Sequence, residues 1–372
     1  MERRDKEKMS VYLDYAATTP VDPQFVADAT QYMLKNYYNP SAAYKEAGAV
    51  KRDMEEARAI IAESINAEPE EIIFTSGATE ANNMVINGFL CNCYDEIPDY
   101  IVTSPYEHPS VSNAVKNSSL SIFYNTVEDI YEWNPYFDYE SGLFTYMMAN
   151  NEVGFIQDIK KVAEIAHAYD SVIHTDATQA YGHIPIDVKD LDVDYLTVSF
   201  HKCGCAKGIG FLYVKSGSSL LPLMYGGGQE RGLRPGTENT AFIYAAGQHV
   251  KRMGTVIPNY TLRDHLKSKI KLLPYCHINE TENQLPNILS ITIDGVRSDV
   301  LLALLNENGI CCSAGSACHA GDPRPSKTLL AFGLSEDEAL RTIRVSWGEK
   351  TPIEDLDYFV YTLQQCMRLL DE

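Results

Sequence analysis

The chain has 372 residues, 45% of them hydrophobic and 22% charged, a soluble globular composition that excludes wholesale disorder and is long enough for one large domain with a smaller one. A formal net charge of −20 argues against a nucleic-acid partner, because such a surface repels phosphates. No apolar run is long enough for a bilayer or, at residues 1–9, for a signal peptide, so the expected location is the cytoplasm, with the nine cysteines as reduced thiols.

In chain order, short apolar runs recur at residues 72–74, 100–102, 143–147, 172–174 and 195–198, separated by helix-like stretches such as 158–169. Strands alternating with helices predict an α/β fold with a mostly parallel sheet covered on both faces. In such sheets ligands bind beyond the carboxyl ends of the strands. From about Tyr260 the pattern changes to a helix, a strand at 288–293, a helix from Ser298 and further short elements, which predicts a smaller α+β domain. Ser335 with Glu338 reads as a capping box. For the last helix the expected N-cap is Thr351, followed by Pro352 and completed by Glu354. The predicted division is 15–255 for the large domain and 1–14 with 256–372 for the small one.

Two of the runs end in residues with chemical consequence. Asp176 closes one, and the next leads into Ser199-Phe200-His201-Lys202. A lysine can hold the aldehyde of pyridoxal 5'-phosphate as a Schiff base, and a carboxylate can keep the pyridine nitrogen protonated so that the ring withdraws electrons. Thr75-Ser76-Gly77-Ala78-Thr79-Glu80 follows a strand and opens a helix, so the backbone of Ala78 and Thr79 can meet a phosphate there, and Ser199 and His201 can donate to the same group. His108, just past the strand expected at 100–105, is placed to stack on a planar ring and to move protons. Asn150, Asn151 and Glu152, and then Thr178 and Gln179, follow the next two strands. A last cluster runs from Cys311 to Ser326. Cys311 and Cys312 continue an apolar strand and read as small buried hydrophobes, whereas Cys318 lies in a Gly- and Pro-rich stretch suited to a thiol that must travel. The pairs Cys91/Cys93 and Cys203/Cys205 do not have zinc spacing, and no metal is expected.

In these segments the chain resembles the cysteine desulfurases of the nitrogen-fixation and housekeeping iron–sulfur-cluster branch, in the class V aminotransferase family. The motifs are LDYAATTP at 13–20, TSGATEANN at 75–83, EH at 107–108, NNEVG at 150–154, HTDATQ at 174–179, SFHK at 199–202, GGGQERGLRPGTEN at 226–239, SAGSAC at 313–318 and TIRVSWG at 342–348. The resemblance implies the fold-type I pyridoxal-phosphate architecture and conversion of L-cysteine to L-alanine. It implies Lys202 at the cofactor aldehyde, Asp176 at the ring nitrogen, His108 stacked on the ring, and Asn151 and Gln179 around its phenolic oxygen. It places Ala78, Thr79, Ser199 and His201 at the phosphate, with Thr237 reaching the phosphate of the other subunit of a homodimer. Arg344 would grip the substrate carboxylate, and Cys318 would receive sulfur as a persulfide for an acceptor protein, either an iron–sulfur scaffold or a transfer-RNA thiolation enzyme.

Two departures stand out. Cys205-Ala206 occupies a place where the family commonly has Gly-Pro, and Tyr44 and Lys45 stand where a histidine usually follows Asn39-Pro40-Ser41. The chain also ends at Glu372 without the longer tail expected to engage a scaffold. The alternatives are a selenocysteine lyase or aminotransferase of the same fold, or a non-catalytic sulfur carrier; the loop around Cys318 argues against transamination.

Overall fold

The structure, a computed structural model, describes residues 10–91, 100–130, 142–315 and 324–371. Its strands in chain order are β1 (Val11–Tyr12), β2 (Ile72–Thr75), β3 (Tyr100–Thr103), β4 (Ser121–Tyr124), β5 (Gly142–Met147), β6 (Val172–Asp176), β7 (Tyr195–Ser199), β8 (Gly210–Val214), β9 (Cys276–Asn279), β10 (Ile288–Ile293), β11 (Ile310–Cys311) and β12 (Thr342–Ser346). Among the described residues no helix is long and apolar enough to cross a membrane.

The chain divides into two compact units, one of Pro20–Ala149 with Gln157–Ile257, the other of Asn150–Ile156, Pro258 onward and the N-terminal residues to Thr19. The larger unit holds a seven-stranded sheet in the order β2-β8-β7-β6-β5-β3-β4. The pairs from β4 through β7 are parallel, and β8 runs antiparallel to both neighbours, so the α/β expectation is met by a mixed, mostly parallel sheet. The parallel strands β3, β5 and β7 are buried at every position, as expected for a sheet covered on both faces. Ile73, Ile101, Leu143 and Leu212 pack with Ala81, Val85, Val111 and Val115 of the helices Ala78–Cys91 and Pro109–Lys116, which fixes those helix starts at the sheet's carboxyl edge.

The smaller unit contains the antiparallel sheet β12-β10-β9 and the parallel pair β1-β11. Its core includes Leu289, Ile291, Ile343, Val345, Trp347 and Phe359. Residues Asn150–Ile156 join it through backbone bonds from Ile156 N to Asn283 O, 3.0 Å, and from Leu285 N to Gly154 O, 2.7 Å. The Ser335/Glu338 capping box is present. The final helix, however, begins at Ile353, and the Thr351 hydroxyl accepts from the Gly348 amide at 3.0 Å, closing the preceding turn. The 100–105 run ends as a strand at Thr103, because Ser104 turns away to bond Glu107.

Candidate active site

β2 ends at Thr75 and β7 at Ser199, and both residues pair with Gly210 at the start of β8. A Cβ at Gly210 would stand 2.5 Å from Val198 O and 2.8 Å from Gly77 Cα. Those are backbone atoms, so only glycine allows this approach. Gly77 has φ +147°, and a Cβ there would meet Ser199 Oγ at 3.1 Å. The helix Ala78–Cys91 starts at once after this turn. The Ser76 amide is taken by the Glu80 carboxylate at 2.7 Å, whereas the amides of Ala78 and Thr79 have no acceptor among the described residues. Orphan amides at the positive end of a helix, with the Ser199 hydroxyl beside them, form a donor set for an anion. His201 sits in the 3₁₀ turn Phe200–Lys202. Burial, and then the charges of Lys202, Lys207 and His108, push its pKa down to about 4, so near neutral pH it is an uncharged ring with one N–H to donate.

Asp176 closes β6 and is buried. Its Oδ2 accepts from Asn82 Nδ2 at 2.8 Å and its Oδ1 from the Thr178 amide at 3.0 Å, and among the described residues it forms no ion pair. A buried carboxylate with only neutral donors suits a cationic ring nitrogen. Gln179 is buried in the turn that follows. Lys202 is half-buried, and its carbonyl lies 3.2 Å from His183 Nε2.

His108 caps the helix Pro109–Lys116, with Nδ1 accepting from the Ser110 amide at 3.1 Å and lying 2.8 Å from Ser110 Oγ. Next to it Glu107 is buried, and its Oε1 accepts from Ser104 Oγ at 2.5 Å and from the Met147 amide at 2.7 Å. Burial pushes this carboxyl up to about 8; the two hydrogen bonds oppose the rise and the charge of Asp176 adds to it. Ala78, Thr79, His108, Asp176, Gln179, Ser199, His201 and Lys202 therefore share one edge of one sheet. Their chemistry fits pyridoxal 5'-phosphate: amides and a hydroxyl for a phosphate, a carboxylate without its own cation for a ring nitrogen, an amine for an aldehyde.

Thr237 is exposed on the loop before the helix Thr240–Met253. That loop is tied to the helix Ala78–Cys91 by Arg234 Nε and Glu80 Oε1, 2.6 Å apart.

In the smaller unit Arg344 lies on β12 and is 1% exposed. Its Nη1 donates to Asn151 O and its Nη2 to Asp14 Oδ1, both at 2.7 Å, while Nε has no partner among the described residues. The structure thus brings Arg344 and Asn151 together, and leaves the buried Nε–H without an acceptor among the described residues. Cys311 and Cys312 are half-buried instead of fully buried as the apolar run predicted; Cys311 ends β11, whose one strand neighbour among the described residues is the two-residue β1. Burial pushes the Cys312 thiol up. Cys318 and Cys93 lie outside the described residues.

The departure at Cys205-Ala206 is accommodated. The amides of Cys203 and Cys205 both donate to Phe200 O, at 3.0 and 3.2 Å, and Cys205 is fully buried. Sequence reasoning missed Asn82, Ser110 and Asp14. Asn82 and Asp14 stand inside quoted motifs, and Ser110 is two residues past His108, so the signal was their place beside residues already singled out.

Comparison with known proteins agrees with this geometry. The family profile described as Aminotransferase class-V matches residues 11–359. A cysteine desulfurase IscS of Clostridium botulinum is 35% identical over 96% of this chain and 94% of its own length. Among solved structures, a NifS-like protein from Rickettsia africae superposes with a TM-score of 0.87 at 30% identity, covering 96% of this chain and 99% of its own. Another, described as SspA in complex with cysteine, gives a TM-score of 0.78 at 34% identity, covering 90% of this chain and 98% of its own. The chain belongs to the class V aminotransferase family, whose members are pyridoxal-phosphate enzymes of fold type I.

Proposed function

We propose that the protein is a pyridoxal-phosphate-dependent cysteine desulfurase, a transferase that converts L-cysteine to L-alanine and passes the sulfur to Cys318 as a persulfide. The observation that carries this reading is the buried Asp176 carboxylate, served only by neutral donors, on the same sheet edge as Lys202 and the anion-binding turn at Gly77. The relatives named cysteine desulfurase and the relative solved with cysteine support the choice of substrate.

Bound at this edge, the cofactor supplies an electron-withdrawing ring that weakens bonds at the substrate carbons near the amine. Lys202 would hold its aldehyde and Asp176 the charge on its ring nitrogen. Ala78, Thr79, Ser199 and His201 would hold the phosphate, with Gln179 and Asn151 near the phenolic oxygen. His108 would lie against the ring and move protons through Nε2. Arg344 would hold the substrate carboxylate, a role that its unpartnered Nε supports. The Cys318 thiolate then takes the sulfur: an S–S bond forms, the substrate's Cβ–S bond breaks, and protons go to the carbons as alanine leaves. The thiol sulfur of cysteine becomes the outer atom of the persulfide while Cβ is reduced, so no outside oxidant is needed. The same reading makes the large unit the cofactor-binding domain and the smaller one the carrier of the Cys318 loop. It also makes the protein a cytoplasmic homodimer, with Thr237 serving the second subunit's phosphate, and an iron–sulfur scaffold or thiolation enzyme as acceptor.

Alanine release and peptide mass spectrometry after one turnover test the proposal. The expected results are alanine from the wild type with one added sulfur on Cys318, no internal-aldimine absorbance or turnover in Lys202→Ala, and retained cofactor without alanine in Cys318→Ser. A thiol is partly ionised near neutral pH and a hydroxyl is not, so the serine defect is chemical. Added sulfur on Cys311 or Cys312 with Cys318 bare would overturn the acceptor assignment, and wild-type turnover in Lys202→Ala would overturn the cofactor reading.

A further inference from the structure

The larger unit contains a polar chain that the reaction above does not use. Asn82 is fully buried on the helix Ala78–Cys91, and its Nδ2 donates both to Asp176 Oδ2, 2.8 Å, and to Ser110 Oγ, 2.9 Å. Both amide hydrogens are thereby used. The opposite amide orientation would turn Asn82 Oδ1 onto the Asp176 carboxylate, acceptor against acceptor, so the side chain has one orientation. Its Oδ1 is left buried without a hydrogen-bond partner, a cost accepted to keep the two bonds. Because Ser110 Oγ accepts from Asn82, its own hydroxyl proton is directed to its remaining neighbour, His108 Nδ1, 2.8 Å away. The Ser110 amide donates to the same nitrogen. A neutral imidazole whose Nδ1 accepts two donors carries its proton on Nε2.

We propose that Asn82 and Ser110 are positioning residues that join Asp176 to His108: the Asn82 amide orients the Asp176 carboxylate and fixes the Ser110 hydroxyl, and Ser110 holds His108 with its proton on Nε2. This rests on the assignment of Asp176 and His108 to the cofactor ring, and it adds that the group serving the ring nitrogen and the group moving protons are set by one shared network. A change in Asp176 is then felt at His108 without direct contact.

The test separates this network from the activity. Protein labelled with ¹⁵N-histidine and kept free of cofactor is observed by NMR at a pH where imidazole is neutral, with His108→Gln identifying the His108 signals. The wild type and Ser110→Thr are expected to show the Nε2–H form alone. Ser110→Ala and Asn82→Ala should shift the His108 Nδ1 resonance, since each removes or frees the Ser110 hydroxyl and leaves the Ser110 amide as the one fixed donor to Nδ1. Asn82 is buried and its variant can fail to fold; Ser110 is half-buried at a helix start, so Ser110→Ala and Ser110→Thr decide the matter by themselves. An unchanged His108 Nδ1 resonance in Ser110→Ala overturns the proposal and leaves the desulfurase reading untouched. In cofactor-loaded protein, kcat should fall about tenfold in either single variant, the scale of one lost hydrogen bond, with KM nearly constant. The double variant should be no slower than the slower single one, because the two residues act in series, and multiplied losses would also overturn the network.

Discussion

Asp176 and Glu230 are equally buried, 6% exposed each, and both belong to the larger unit, but the chain treats their charges in opposite ways. Glu230 receives both Nη atoms of Arg58, each at 2.7 Å, and the Phe74 amide at 2.7 Å. Burial alone would lower the Arg58 pKa, but the bonds and charge of Glu230, with help from Glu55, outweigh it and leave the guanidinium's pKa raised. The pair holds Glu230 and Arg231 in left-handed backbone, φ +45° and +56°, at the entrance to the loop that carries Thr237. Such backbone costs roughly 1–2 kcal/mol per residue and persists only when anchored. Among the described residues Asp176 has no guanidinium; an asparagine and a backbone amide orient it without neutralising it. Where the fold provides the cation, the carboxylate organises the chain, and where it provides only orientation, the charge is kept for a ligand.

The largest effect that tests this contrast is on turnover. Asp176→Asn keeps an acceptor for the Thr178 amide but removes the charge and the acceptor for Asn82 Nδ2, so kcat should fall at least about a hundredfold, as when an electrostatic partner of a reacting group is removed, with stability lowered by only about 1–3 kcal/mol. Steady-state alanine release and a thermal melt measure the two. A melt lowered as far as the turnover would erase the distinction between the two carboxylates.

The converse substitution should act on stability. Arg58→Met leaves Glu230 buried without its cation, and should cost about 3–5 kcal/mol in denaturant unfolding. Cofactor absorbance should persist in the fraction that remains folded. Arg58→Met combined with Glu230→Gln should recover part of the loss, since an amide is cheaper to bury than an unpaired charge. Wild-type stability in Arg58→Met would remove the structural half of the comparison.

Glu107 sharpens the contrast with the smallest effect, because it is a buried carboxyl that the chain keeps protonated. Its pKa is lifted from an ordinary 4.5 to about 8. Between those values the native state retains a proton that the unfolded chain has lost, so its contribution to stability falls as pH rises through that window. Glu107→Gln removes this dependence. Its melting temperature relative to wild type should be higher above pH 8 than below pH 4.5, and a difference that stays flat with pH would mean that Glu107 is charged in the fold.

Much of this site was legible in the sequence. The apolar runs gave five strands of the large sheet, and Asp158 does cap the helix expected at 158–169. Asp176, Ser199 and Lys202 lie at strand ends, which the αβ alternation places at one edge. The pattern did not name β4, whose residues at the sheet edge are exposed or only partly buried, or β8, whose antiparallel insertion between β2 and β7 no periodicity encodes. That insertion is what places Gly210 against Gly77.

The sequence by itself determined most of the elements, the Ser335/Glu338 cap and the identity of the chemical groups, because propensity, burial period and capping are set within a few neighbouring residues. Only the tertiary structure decided which groups face each other: Asn82 with Asp176 across 94 positions, Arg58 with Glu230 across 172, and Arg344 with Asp14 across 330. Those pairings follow from strand order and from the packing of helices on the sheet. They fix what a buried charge means, because its partner and not its residue type sets whether it holds the fold or serves a ligand.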